Sequence, residues 1–92
     1  MASAFTSTSS ALIANTFSSR NSVIITNEGA GILAVLIGAN SVTDETASST
    51  NYTVKIPSGA YWESPPGVVG KYFGIFLTAG TARVTEAANR LN

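Results

Sequence analysis

The chain has neither histidine nor cysteine, so any chemistry must come from its five acidic and five basic side chains and its hydroxyls. The carboxylates are Glu28, Asp44, Glu45, Glu63 and Glu86. General acid–base work usually uses a histidine or two carboxyl groups held close together. Only Asp44 and Glu45 adjoin, and successive side chains diverge in an extended chain. Set in a Ser/Thr-rich loop they could collect a hard cation through oxygen ligands, but the spacing of a calcium loop is missing and solvated loop charges are the plainer expectation. A Ser–Lys dyad would need Lys55 or Lys71 as base. Lys55 falls on the polar side of an alternating run, where a lysine faces water. Without thiolate or imidazole there is no disulfide framework and almost no transition-metal chemistry. The expectation is a protein that is not an enzyme and holds no cofactor or metal.

One stretch argues the other way. Residues 22–38, SVIITNEGAGILAVLIG, carry a β-branched run, then Gly29, Gly31 and Ala34 at G-x-G-x-x-A spacing. Such glycines open dinucleotide-binding units, where a pyrophosphate sits on a helix N-terminus. That fold needs a helix next and an acidic residue about 20 positions on. ILAVLI is too short and too β-branched for the helix, and Asp44 and Glu45 come too early. Asn27–Gly31 instead has the chemistry of a five-residue hairpin loop.

The elements that would position any site are strands. Tyr52, Val54 and Ile56 alternate with Thr53 and Lys55, the clearest period-2 signal in the chain. Pro57-Ser58-Gly59 reads as a turn with Pro57 where its fixed φ is useful. Ser64-Pro65-Pro66-Gly67 ends a short strand at Ala60–Glu63. Ala79-Gly80 reads as a tight hairpin between 72–78 and 81–86, with glycine free to take positive φ. Leu12, Ile13 and Phe17 mark a first short strand. The pattern predicts an all-β fold, a small antiparallel β-sandwich or jelly-roll-like barrel of about seven short strands. Residues 1–11 are expected to be a flexible N-terminal arm, 12–86 the sandwich domain and 87–92 a C-terminal tail.

At 92 residues a single domain hides only roughly 60–65% of its unfolded surface, so burial against neighbours would help it. Net charge is zero and 11% of residues are charged, which leaves no basic footprint for nucleic acid and promotes association. Ser and Thr make up 12 and 11 positions, and with the β-branched aliphatics they favour strands. The first 19 residues lack the basic segment and long apolar core of a secretory signal, and the longest apolar run, 32–37, is too short to cross a bilayer. The Asn51-Tyr52-Thr53 sequon carries little weight without such a signal.

The aromatics offer a different kind of site. In KYFGIFLT one face carries Phe73, Ile75 and Leu77 and the other Tyr72, Gly74 and Phe76. If the first face is core, Tyr72 and Phe76 lie on the opposite surface, and adjacent Tyr61 and Trp62 cannot both point inward. Exposed aromatics in a patch mark contact sites. The candidate interface is Phe5, Tyr61, Trp62, Tyr72 and Phe76, with Phe5 anchoring the arm on a partner. A sandwich that buries most of these rings, or a platform of Tyr61, Trp62 and Tyr72 stacking on sugars, are the competing readings.

Four segments together, RNSVIITN (20–27), VLIG (35–38), IPSGAYWESP (56–65) and GIFLTAGTARVTE (74–86), resemble small tailed-bacteriophage virion proteins of the capsid decoration or cement type. The resemblance covers about residues 11–86, and its motifs are structural. It implies a β-sandwich module that clamps neighbouring subunits of the major capsid protein, works as a homo-oligomer in the form of a trimer, and resides on the virion surface after synthesis in the host cytoplasm. It implies no nucleic-acid or membrane partner. By position, Arg20 and Asn27 would brace the first hairpin, Pro57, Gly59 and Glu63 would shape the central turn, and Gly80 the last one. The Ser/Thr loop at 41–50 is longer than that pattern. Related modules occur in phage fibres and tail tips, so a carbohydrate- or receptor-binding module is the alternative, and an accessory domain of a small hydrolase a third.

Overall fold

The computed structural model describes residues 2–14, 20–38, 45–65 and 71–88. They form eight strands: β1 Ala2–Phe5, β2 Ala11–Ala14, β3 Arg20–Asn27, β4 Leu33–Ile37, β5 Val54–Ile56, β6 Tyr61–Glu63, β7 Tyr72–Phe76 and β8 Ala82–Ala88. One four-stranded sheet has the order β1-β8-β3-β6 and the other β2-β7-β4-β5, every pairing antiparallel. The pairings nest, first strand with last, second with seventh, third with sixth and fourth with fifth. A ribbon paired in this way and folded over on itself is a jelly roll, and the all-β sandwich expected from the turn spacing is the fold.

The strand that the sequence pattern does not announce is β1. Residues 2–5 are no flexible arm. They pair with β8 in continuous register from Ala2 opposite Thr85 to Phe5 opposite Ala82. Small hydroxylated residues have weak apolar periodicity, but the backbone donors and acceptors of β8 need partners on that side whatever the side chains are. One large residue suffices to fasten the strand. Phe5 is only 8% exposed and its ring stacks on Phe76 with centroids 6.2 Å apart.

The glycine loops change sheets. Residues 28–32 lead from β3 in one sheet to β4 in the other, and residues 77–81 lead from β7 to β8 in the same manner. Neither is a hairpin, contrary to the turn chemistry. A loop rich in Gly and Asn reverses the chain, and nothing local states whether the return strand pairs beside the first or stacks over it. Residues 57–60 are also a crossing, from β5 to β6.

The core lies between the sheets and is built from Val23, Ile25, Leu33, Val35, Ile56, Tyr72, Phe76, Ala82 and Val84 with Phe5. Tyr72 and Phe76 therefore point inward, the reverse of the expected assignment for β7. Gly74 sits between them, and a Cβ there would collide with Ile13 and come within 3.3 Å of the Phe5 ring. The missing side chain makes room for β1 and β2 to close over β7. Phe73 faces outward into a second, smaller cluster with Leu36 and Ala47, against which Ile75 packs. Both faces of this sheet are apolar, so alternation alone could not choose the inner one.

Phe17, Asp44 and Pro66, and residues 89–92 of the expected tail, lie outside the described residues. Ala87 and Ala88 of that tail end β8.

Candidate interaction surfaces

At one end of the sandwich the loops 6–10, 28–32, 57–60 and 77–81 come together around Asn27, the last residue of β3. Asn27 is fully buried. Its Nδ2 donates to the carbonyl oxygens of Gly31 at 2.7 Å and Ile56 at 2.9 Å, and its Oδ1 accepts from the Gly29 N–H at 3.3 Å. Its own N–H donates to Ala60 and its carbonyl accepts from Gly59. A buried amide costs a great deal unless its groups are bonded, and here both ends of the side chain are. Asn27 thus binds crossings that belong to both sheets, a wider duty than bracing one hairpin.

The glycines of this end serve close approach more than conformation. Gly59 alone among the described glycines has positive φ, at 80°. The Ala60 N–H donates to the Pro57 carbonyl at 3.1 Å, so Pro57 is the first residue of the turn and Gly59 the third. This is the position where a type II turn requires positive φ, and Pro57 stands one place earlier than the turn chemistry implies. At Gly31 an added Cβ would strike the Thr78 carbonyl oxygen, at Gly29 it would lie 2.6 Å from the Thr81 nitrogen, and at Gly80 it would lie 2.7 Å from the Phe76 ring. Backbone from 28–32 lies directly on backbone from 77–81, and the Thr81 carbonyl accepts from both Glu28 and Gly29 at 2.9 Å. The result is a rigid end carrying the exposed apolar side chain of Ile32.

Along the outer face of the first sheet, register places Ala4, Arg83, Thr26 and Tyr61 in one row across β1, β8, β3 and β6. Arg83 pairs with Glu28, Nε to Oε2, at 3.3 Å. Both partners are well exposed, so the pair contributes little to stability. Tyr61 closes the row on the edge strand with 70% of its surface exposed. Trp62, next to it, points inward opposite Ile25, and its ring lies 6.4 Å from that of Tyr72.

On the outer face of the second sheet, the connection before β5 folds back over the strands. Ala47 is 1% exposed and packs on Leu36 and Phe73. Its N–H donates to Ser10 Oγ at 2.9 Å, and Ser48 and Asn51 bond each other's backbone to close the bend. The Asn51 side chain, the acceptor of the sequon, donates its Nδ2 to the Thr46 carbonyl at 2.9 Å. Tyr52 stands beside Lys55, whose Nζ lies 4.8 Å from the ring centroid. Leu12, opposite Phe73 on β2, stays 45% exposed at the far margin.

Of the five residues expected at an interface, the structure therefore leaves only Tyr61 on the surface. Phe5, Tyr72 and Phe76 are core, and Trp62 is half-buried against it. The three rings of the sugar-stacking platform do not come together on one face. Leu12 and Ile32 escape a reading of the sequence for sites, because an isolated leucine or isoleucine carries no pattern. Among the described residues no three His, Cys, Asp or Glu side chains gather as a metal site would, and no helix is long and apolar enough to cross a membrane. Comparison of the chain with protein-family models, with curated protein sequences and with solved structures gave no match.

Proposed function

We propose that this protein is a structural subunit that acts by being assembled, and that its place is on a bacteriophage capsid, where it decorates the shell by bridging neighbouring capsid subunits. The observation that carries this reading is Tyr61, a large ring left 70% exposed on an otherwise well-packed sandwich of zero net charge. Tyrosine in such a setting is a favoured anchor of protein interfaces, with apolar area and a hydroxyl on one stiff side chain. The row from Tyr61 through Thr26 to Arg83 adds polar groups suited to the rim of a contact. Jelly rolls serve in viral shells and also in lectins, so the fold supports the class by analogy only.

The test is cosedimentation of the purified chain with empty shells of the phage that encodes it. Binding is expected, and Tyr61→Ser should weaken it by about tenfold or more while leaving the fold intact. A chain that stays in the supernatant at saturating shell concentration overturns the decoration role. Tyr61-dependent binding to glycans in its place would point to a fibre or tail-tip module.

A further inference from the structure

The sandwich has one guarded side and one bare side. On the guarded side stand the edge strands β5 and β6, each three residues long. Lys55 lies in β5 and Pro57 follows it, while Glu63 lies in β6 with Pro65 just beyond. Short strands, charges and prolines are the means by which sheet edges resist pairing with other chains. The other side is formed by β1 and β2, the opposite edges of the two sheets, whose Phe5 and Ile13 converge over Gly74. From residue 1 to residue 19 the sequence has no charged residue and no proline. Among the described residues nothing pairs with the outer edge of either strand.

The two bare edges are not equivalent. β2 carries a bulge between Leu12 and Ala14, which breaks a flat ladder. β1 runs in unbroken register with β8 along its whole length, so its outer edge is straight and extended. We propose that two copies of this chain pair through β1, antiparallel about a twofold axis, and join their β1-β8-β3-β6 sheets into one continuous sheet. A second copy is the occupant that this edge fits. Across a twofold contact the strand meets a copy of itself, so like charges on it would be brought together, and β1 is uncharged in a chain whose net charge is zero. Its mate must also be an unguarded, straight edge strand, and β1 of another copy is one. The main-chain bonds of an added strand supply affinity without pockets or complementary charge.

This inference deepens the assembly reading and rests on its premise that the chain works as an oligomer. It differs from the trimer that the resemblance implies, because an isologous contact closes at two.

The absence of cysteine allows a direct test. Ala4 is exposed on β1 opposite Arg83. Under mild oxidation Ala4→Cys should give a covalent dimer within minutes at micromolar protein, while Glu63→Cys on the guarded edge should give no covalent dimer although it still pairs through β1. Ala4→Glu faces Arg83 within its own copy but a second glutamate across the axis. It should raise the dimer dissociation constant by at least about tenfold in sedimentation, with a melting curve unchanged from wild type at concentrations low enough that both are monomeric. A wild type that sediments as monomer or trimer, or equal cross-linking of the two cysteine variants, overturns the pairing. Shell binding measured on Ala4→Glu keeps the two proposals apart. Retained binding by a monomer refutes any need for β1 pairing in decoration and leaves the decoration role standing.

Discussion

The side-chain amide of Asn27, at the end of β3, donates to the carbonyl of Ile56, at the end of β5, across the two sheets at 2.9 Å. Hydrophobic packing holds the layers face to face but is indifferent to small sliding, whereas this bond and its companion to Gly31 fix how the loop end is stacked. Asn27→Ala should therefore cost about 2–4 kcal/mol, because it takes the amide donor away from the carbonyls of Gly31 and Ile56, while the Gly29 N–H keeps its bond to the Thr81 carbonyl. Asn27→Asp tests the donor specifically. Burial beside two carbonyls raises the pKa of the introduced carboxyl above its unfolded value. A raised acid is most stable when protonated, so this variant should be at its most stable below pH 4 relative to wild type. It should lose ground as pH climbs through the raised folded pKa. Urea melts at pH 4 and pH 7 check both statements.

The glycines should separate into two kinds. Gly59→Ala meets no atom within 4 Å but must hold φ near 80°, so it should cost about 1–2 kcal/mol, and Gly59→Asn less. Gly31→Ala has ordinary φ but drives its methyl into the Thr78 carbonyl, which belongs to backbone and cannot rotate away. It should cost more, about 3 kcal/mol or above, since overpacking here must force the 28–32 and 77–81 loops away from each other. Gly80→Ala meets a ring instead, and Phe76→Leu in the same chain should recover some of its loss. Thermal melts of the five variants would show whether space or φ governs each position.

Strand positions and fold class were legible because β-branched runs and turn residues are local signals. The alternation of Tyr52–Ile56 and the break at Pro65 mark real strands and ends. Pairing was less legible. Asn27–Gly31 has hairpin chemistry, yet its two strands lie in different sheets, and that choice is made by β8 and β7 arriving from the far end of the sequence. Facing was least legible. Tyr72 and Phe73 are adjacent and both buried, one between the sheets and one under the 45–51 segment, so no periodicity distinguishes them. Three of the five candidate interface residues were lost for that reason, as any ring without an evident partner looks like a contact site until a distant strand covers it.

Phe5 gives the sharpest discrimination between an arm and a strand. A disordered arm contributes nothing to folding, so its removal would leave the melting temperature unchanged. Buried against Phe76, Phe5→Ala should instead cost about 3–5 kcal/mol, a large share of the stability of so small a domain. Deleting residues 2–10 should be at least as damaging, because it also uncovers the edge of β8. Differential scanning calorimetry reads the result directly, and a melting temperature within a degree of wild type would refute the strand.

The last prediction concerns Ala47, which lies in a segment of almost wholly polar composition. A Ser/Thr-rich connection has little reason to settle on a sheet unless something pins it. The methyl group of Ala47 fits between Leu36 and Phe73, and its N–H reaches Ser10 Oγ, tying the segment to the β1–β2 connection. Ala47→Asp places a charge on the apolar outer face with no room to turn outward. The segment should lift, exposing Leu36 and Phe73, while the core between the sheets stays closed, since it shares no buried side chain with this cluster. The expected signature is a loss of about 1–3 kcal/mol, faster amide exchange at residues 46–51, and new binding of a hydrophobic dye. Ser10→Ala should produce a milder form of the same change, near 1 kcal/mol, by removing one hydrogen bond. If Ala47→Asp instead unfolds the whole domain in a single transition at its normal midpoint, with no prior exchange at 46–51, the second cluster is not a separable unit.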